Sequence, residues 1–330
     1  MAASIILKGL GSHVPAQRLT NDDLAQMMET SDEWIRTRSG IRERRIAGPD
    51  ENPSDMGAEA GRKAIAQAGL KPEDIDLLIV GTMSPDLTFP STACIMQNKL
   101  GLRKIPAFDV AAACSGFLYI LEVGVAMVRS GGYRNALIVG TEKMTSMLDW
   151  KDRATCVLFG DGAGAAVLTR SDEKDVGVIG SILHTDGSSV GMLYQPGGGS
   201  ACPPTVASVE ERKHFLKMNG KEVFKVAVRE MEQVIRDLLA QHHLTSAQVA
   251  LVVPHQANIR ILDALATRLE IPMERVFVNI DRYGNTSAAS IPLALDEARA
   301  AGRLRPGEYI VLVAFGAGLT WGATLIKWHS

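Results

Sequence analysis

The sequence predicts an α/β protein built from two similar halves, and three observations carry that prediction. Apolar, β-branched runs of five to six residues alternate with helix-period segments, as in Leu77-Leu78-Ile79-Val80 and Leu251-Val252-Val253. Unbroken runs of that length, separated by helices, read as strands covered on both faces. The chain also resembles itself: residues 70–82 and 244–255 share one pattern, and so do the segments that precede and follow them. Finally, 330 residues, 46% hydrophobic and 22% charged, suffice for one large core or two domains.

Taken in order, residues 1–15 read as a first strand. Their single lysine follows the apolar run, so they lack the charged start and long apolar stretch of a secretory signal. A helix is expected over 55–68, then the strand at 77–80, then a helix ending in Lys99-Leu100-Gly101-Leu102. Next come a strand with one aspartate (Phe108-Asp109-Val110), a small-residue turn, a helix over 115–129, a Gly/Arg turn at 131–134 and a strand at 136–140. The second half repeats the series. It has a helix over 220–241, a strand up to Val253, a helix ending in Arg268-Leu269-Glu270-Ile271 and a strand with one aspartate (Asn279-Ile280-Asp281). A turn, a helix, a Gly/Arg turn at 302–307 and a strand at 309–313 follow. The two halves divide at 1–172 and 173–330. Cys114 follows its aspartate by five residues and Asn285 follows its own by four, so the two fall in matching turns.

A net charge of −2 gives no global attraction to nucleic acid or to membranes. No run is expected to reach the ~18–20 apolar residues that span a bilayer. Cys94, Cys114, Cys156 and Cys202 are scattered without a CxxC, which argues against a metal site and a disulfide framework. The expected compartment is the reducing cytoplasm.

The chemistry centres on Ala112-Ala113-Cys114-Ser115-Gly116-Phe117-Leu118, where a strand-like run (105–113) meets a helix-like one. A thiol aimed at a helix N-terminus is expected to lose its proton easily and to act as an acyl nucleophile. His255 follows a strand and is locked by Pro254; His184 is the weaker competitor, and the other five histidines look solvated. Asn285 opens a turn-and-cap segment, Asn285-Thr286-Ser287-Ala288-Ala289-Ser290. A thiolate, an imidazole and a carboxamide together suit carbon–carbon bond formation on thioesters. The thiolate takes the acyl group, and the other two donate to an enolate oxygen formed by decarboxylation. Each such donor is worth roughly 2.7–4 kcal/mol. Ala314-Phe315-Gly316-Ala317-Gly318 ends a strand in small residues, so its backbone N–H groups, with that of Cys114, can form an oxyanion hole.

These stretches resemble the β-ketoacyl–acyl carrier protein synthase III family of the thiolase-like superfamily. The matching segments are Thr30 to Arg44 (TSDEWIRTRSGIRER), Ala113-Cys114-Ser115-Gly116, Phe159 to Ala165 (FGDGAGA), Pro254-His255-Gln256-Ala257-Asn258, Gly284 to Ser290, and Gly316 to Gly322. They lie in family order over nearly the whole chain. The resemblance implies a five-layer αβαβα fold with an internal pseudo-twofold duplication, and a homodimer. It implies Cys114, His255 and Asn285 as the catalytic triad, and the N–H groups of Cys114, Ala317 and Gly318 as the oxyanion hole. Coenzyme A contacts would come from Thr30, Trp34, Arg38, Arg153, Gly220, Phe224, Ala257 and Asn258. Trp and Arg both offer flat faces to a base. Met83 and Phe159 would shape the acyl pocket, and Phe89 would cross to close the partner's. Lys225 and Arg260 match carrier-protein contacts, with Arg229 and Arg268 on the same two helices. Ala317 stands where the family has glycine, which raises the question of its φ angle.

The function so implied is an acyltransferase condensing an acyl-CoA primer, acetyl-CoA by default, with malonyl–acyl carrier protein. The 3-oxoacyl–acyl carrier protein formed would initiate type II fatty acid synthesis, with no metal and no cofactor beyond coenzyme A thioesters as substrates. A sister enzyme making a quinolone, polyketide or other secondary metabolite shares the same triad. A cysteine hydrolase and a non-catalytic carrier-binding homologue are the alternatives from other classes.

Overall fold

A computed structural model describes residues 3–329. Two sheets carry the core. The first contains β1 (Ser4–His13), β2 (Leu77–Gly81), β3 (Ala107–Val110), β4 (Asn135–Lys143) and β5 (Asp161–Ser171), ordered β1-β5-β4-β2-β3. The second contains β6 (Gly177–Thr185), β7 (Val249–Pro254), β8 (Tyr309–Gly316) and β9 (Thr320–Lys327), ordered β7-β8-β9-β6. Pairing repeats between them. β4 runs parallel to β2 and antiparallel to β5, as β8 runs parallel to β7 and antiparallel to β9. Residues 172–176 join the two sheets, and the 172/173 division lies in that connection.

Strand alternation distributes the apolar side chains. Leu77 and Ile79 of β2 face inward with Ala136 and Ile138 of β4, while Leu78, Val80, Leu137 and Val139 face outward. The outer face of the first sheet is covered by α2 (Pro53–Gln67) and α3 (Thr92–Lys99). Between the sheets lie α4 (Gly116–Ser130) and α7 (Ser290–Ala300). The outer face of the second sheet is covered by α5 (Gly220–Gln241) and α6 (Ile259–Leu269). The result is five layers, αβαβα. A shorter α1 (Asp32–Ser39) lies outside the layers and packs on α6 where Gly40 meets Ile259.

Two expectations need correction. The strand expected at 279–281 is a helical turn, Ile280–Tyr283. The ladder stops after a bridge between Val252 and Val276 and a bond from Phe277 N to Val252 O at 2.9 Å. The Gln256 amide then replaces a neighbouring strand: it accepts from Asn279 N at 3.0 Å and donates to Phe277 O at 3.0 Å and Pro254 O at 2.9 Å. The second correction concerns Ala113–Ser130, which is apolar and long enough to cross a membrane by composition and length. This segment is α4 and its lead-in, and Phe117, Leu118, Ile120 and Leu121 are fully buried between the two sheets. A helix with a sheet on each side must be apolar around most of its circumference.

The duplicated turns are also matched in backbone. Ala113 and Ser287 both take positive φ, +46° and +49°, and each opens a short 3₁₀ turn leading into α4 and α7 respectively. By this register Cys114 corresponds to Ala288, and Asn285 lies two residues before the left-handed position. Cys114 and Asn285 therefore share matching turns but not matching positions. Gly140 is what lets the second turn sit on β4, since a Cβ there would lie 2.3 Å from the Ala288 carbonyl oxygen.

Candidate active site

The Cys114 turn is tied to the β8–β9 hairpin by two crossed bonds. Ser115 Oγ donates to Thr320 O at 3.0 Å, and Thr320 Oγ1 donates to Ala112 O at 3.1 Å. A Cβ on Gly316 would come within 2.7 Å of Cys114 N, so only glycine lets the hairpin approach this closely. The small residues of the hairpin therefore bring its backbone against the thiol-bearing turn. This contact joins segments about two hundred residues apart.

His255 follows β7 directly and its N–H donates to Val313 O at 2.8 Å, extending the ladder with β8 by one residue. Its Nδ1 lies 2.6 Å from Ser290 Oγ, at the start of α7. Asn285 is strapped to residues 158–160, with its N donating to Leu158 O at 2.8 Å and its O accepting from Gly160 N at 3.0 Å. Its side-chain oxygen accepts from Ser287 N at 2.8 Å, which leaves the amide N–H groups as the unengaged end. Arg44 braces this strap from below by donating from Nη2 to Val157 O at 2.7 Å.

Cys114, His255 and Asn285 border one cavity of about 640 Å³. All three sit at its deep end, 6%, 2% and 7% exposed. At the open end stand Trp34 and exposed Arg38, four residues apart on one face of α1. Ser31 caps α1 by accepting from Trp34 N at 3.1 Å, and Gly40 ends it with φ +83°. The guanidinium groups of Arg38 and Arg153 lie over the Trp34 ring at 4.6 and 4.7 Å. A passage running from a flat cationic–aromatic mouth to a buried thiol suits a long ligand with a planar head and a reactive tail.

The electrostatics at the deep end correct the expectation of an acidic thiol. Burial pushes the Cys114 thiol up to about 12, and the nearby Glu142 carboxylate adds to the rise. Cys114 sits in the 3₁₀ turn before α4 and is buried, so desolvation of a thiolate outweighs the hydrogen bonds that favour it. Glu142, at the end of β4, is fully buried and itself raised to about 7 by burial. It accepts from Ser84 Oγ at 2.6 Å, Met83 N at 3.1 Å and Ser287 Oγ at 3.0 Å. The Ser287 hydroxyl also reaches the Cys114 thiol. Burial alone pushes the His255 imidazole down to about 3, so the ring is neutral.

Comparison with known proteins places this geometry. Family profiles described as 3-oxoacyl-[acyl-carrier-protein (ACP)] synthase III and its C-terminal part match residues 108–187 and 239–328. A beta-ketoacyl-[acyl-carrier-protein] synthase III of Roseiflexus castenholzii is 52% identical over 330 residues, the whole of both chains. The chain belongs to the 3-oxoacyl-[acyl-carrier-protein] synthase III family. It is thereby a thiolase-like condensing enzyme of the acyltransferase type. The crystal structure of the synthase III from Aquifex aeolicus VF5 superposes with a TM-score of 0.91 at 46% identity, covering 99% of this chain and 100% of that one. The priming beta-ketosynthase of the R1128 polyketide pathway superposes with a TM-score of 0.92 at 36% identity, covering 99% and 97%.

Most residues singled out from the synthase III resemblance border the cavity: Met83, Phe159 and Ala317 near the thiol, and Gly220, Phe224, Ala257 and Asn258 along the passage. Lys225 and Arg260 border it too. Asn258 also caps α6, its side chain accepting from Arg260 N at 2.9 Å. Four residues are off the wall. Thr30 has a buried Oγ1 with no hydrogen-bond partner, and Arg153 contributes through Trp34. Gly318 carries the positive φ (+136°) of the hairpin and does not border the cavity; Ala317 is outside the left-handed region, so its methyl causes no strain there. Phe89 stands 83% exposed on the surface, outside its own chain's cavity. Among the basic residues, Lys225, Arg229 and Arg268 pair with Glu222, Glu230 and Glu232, while Arg260 has no carboxylate partner among the described residues. Against the solvated reading, His214 and His242 each bury one ring nitrogen. Glu142, Ser290 and Arg44 were not foreseen as site residues. A glutamate closing an otherwise apolar strand was the visible signal for the first.

Proposed function

We propose that this chain performs a decarboxylating Claisen condensation between an acyl-CoA primer, acetyl-CoA by default, and malonyl–acyl carrier protein. The reading rests on one observation: a buried thiol, a neutral imidazole and an oriented carboxamide share the closed end of one passage. In the first half-reaction Cys114 sulfur attacks the primer carbonyl. The tetrahedral oxyanion is held by the N–H groups of Cys114 and Ala317, and collapse expels coenzyme A. The thiol proton leaves with coenzyme A, so one thioester is exchanged for another. In the second, the malonyl group loses carbon dioxide, and the C–C bonding pair becomes an enolate. His255 and Asn285 donate to its oxygen, and its carbon attacks the Cys114 thioester. The 3-oxoacyl–acyl carrier protein leaves, and the expelled Cys114 thiolate takes up a proton from solvent, which restores the thiol.

Trp34 and Arg38, with Arg153 against the ring, are suited to the adenine and phosphates of coenzyme A. Lys225 and Arg260 offer cations to an acidic carrier at the same opening. Phe89 serves a second copy of the chain, in a homodimer, by entering that copy's acyl pocket. The high identity to relatives named as synthase III supports fatty acid initiation over the polyketide role of the more distant priming enzyme.

The test is intact-mass analysis with acetyl-CoA, followed by product analysis with malonyl–acyl carrier protein. The wild-type protein gains one acetyl group and then yields the 3-oxoacyl product, and Cys114→Ala gains none. An adduct persisting in Cys114→Ala, or peptide hydrolysis without condensation, overturns the mechanism.

A further inference from the structure

We infer that Ser290 is a positioning residue that holds the proton of His255 on Nε2, the nitrogen left to face the cavity. The inference deepens the proposed mechanism and rests on it. A neutral imidazole carries one proton on either of two nitrogens, and only Nε2–H can donate to an enolate oxygen in the cavity. The choice is therefore decided by whatever bonds Nδ1.

Nδ1 has one partner, Ser290 Oγ, at 2.6 Å. Both side chains are buried, and among the described residues the Ser290 hydroxyl makes no other hydrogen bond. Two arrangements are open. If Nδ1–H donated to the serine oxygen, the serine proton would be left buried without an acceptor, and Nε2 would offer the enolate a lone pair. If the serine hydroxyl donates to Nδ1, every buried polar group in the pair is satisfied and Nε2 carries the proton. Leaving a buried donor unmade is the costlier state, so the second arrangement is favoured. No carboxylate bonds the ring, and burial is the sole cause of its lowered pKa, so the imidazolium form does not compete near neutrality.

The fold explains why serine can do this here. Ser290 begins α7 just after the left-handed Ser287 and the turn Ser287–Ala289. That turn also fixes Asn285 through Ser287 N. The turn and the first residue of α7 thus orient both donors: the carboxamide through the Ser287 backbone N–H and the imidazole through the Ser290 hydroxyl.

The direct test is ¹⁵N NMR of histidine-labelled protein near neutral pH, with His255 assigned by loss of its signals in His255→Gln. The expected result is a neutral ring protonated on Nε2. A ring protonated on Nδ1 overturns the inference whatever the enzyme's activity. The kinetic test compares Ser290→Ala with Ser290→Thr. In Ser290→Ala, malonyl decarboxylation falls about tenfold, acetyl transfer to Cys114 falls much less, and the NMR signals show loss of the Nε2–H preference. Ser290→Thr, which keeps the hydroxyl, recovers decarboxylation. Equal loss of both half-reactions, or decarboxylation unchanged in Ser290→Ala, counts against the positioning role. If wild-type protein takes no acyl group from any acyl-CoA, the parent mechanism fails instead, and the NMR result still stands by itself.

Discussion

Cys114 holds its proton in the resting protein, and the neighbouring carboxylate is part of the reason. Glu142 is buried among Thr82, Met83, Ser84 and Ser287, and its negative charge opposes a second one on the sulfur. Removing that charge lowers the cost of forming the thiolate. In Glu142→Gln, the midpoint of the pH profile for alkylation of Cys114 by iodoacetamide therefore moves to lower pH, and alkylation at a fixed pH of about 8 is faster. A midpoint that stays put or rises breaks the electrostatic link. Arg44 acts at the same scale through geometry. Its bond to Val157 O steadies the segment that holds the Asn285 backbone.

At the scale of elements, the two matched turns need backbone to lie against backbone. Gly140 on β4 faces the Ala288 carbonyl, and Gly164 on β5 faces the start of α7, where a Cβ would lie 2.7 Å from Leu293 N. Strand glycines usually cost stability, and here they are the condition for the turn to dock. Gly140→Ala is expected to lose about 1–3 kcal/mol, read as a lower denaturation midpoint at an unchanged m-value. Gly132→Ala, where the added methyl meets nothing nearer than the Ser130 hydroxyl at 3.9 Å, stays within about 0.5 kcal/mol of wild type. Equal losses at both positions would mean that the close approach is not what Gly140 provides.

At the scale of the whole molecule, the site's buried groups shape stability against pH in opposite senses. His255 has a folded pKa depressed from 6.5 to about 3, so its contribution is complete above 6.5 and lost as pH falls toward 3. Glu142 has a folded pKa raised from 4.5 to about 7, so its contribution is complete below 4.5 and lost as pH rises through 7. The two slopes oppose one another between 4.5 and 6.5. Of these two groups only the histidine acts between 4.5 and 3, at about 1.4 kcal/mol per pH unit, and comparison with a variant lacking it removes the surface carboxylates common to both proteins. Denaturant unfolding of wild type and His255→Gln across that interval should show the variant losing about 2 kcal/mol less. Parallel losses would mean that the imidazole is hydrated in the folded protein.

What the sequence determined by itself was the part of the molecule written in period and repetition. Buried β-branched runs, helix-period segments and their recurrence defined two like sheets with helices on their faces. Cys114, His255 and Asn285 were legible because each residue type stands at a strand end or turn, where loops bring chemistry to an α/β sheet. Trp34 and Arg38 were legible through family resemblance. Tertiary structure decided the rest. The strand expected at 279–281 gave way because a distant glutamine side chain takes its backbone N–H. The thiol expected to be acidic is not, because desolvation depends on how completely residues from both halves close over it. Ser290, Glu142 and Arg44 gained their roles only from neighbours 35, 28 and 113 residues away, namely His255, Cys114 and Val157. Periodicity reports which way a side chain points from its own element. It carries no information about the burial and partners contributed by elements far along the chain, and those set the protonation states on which the chemistry turns.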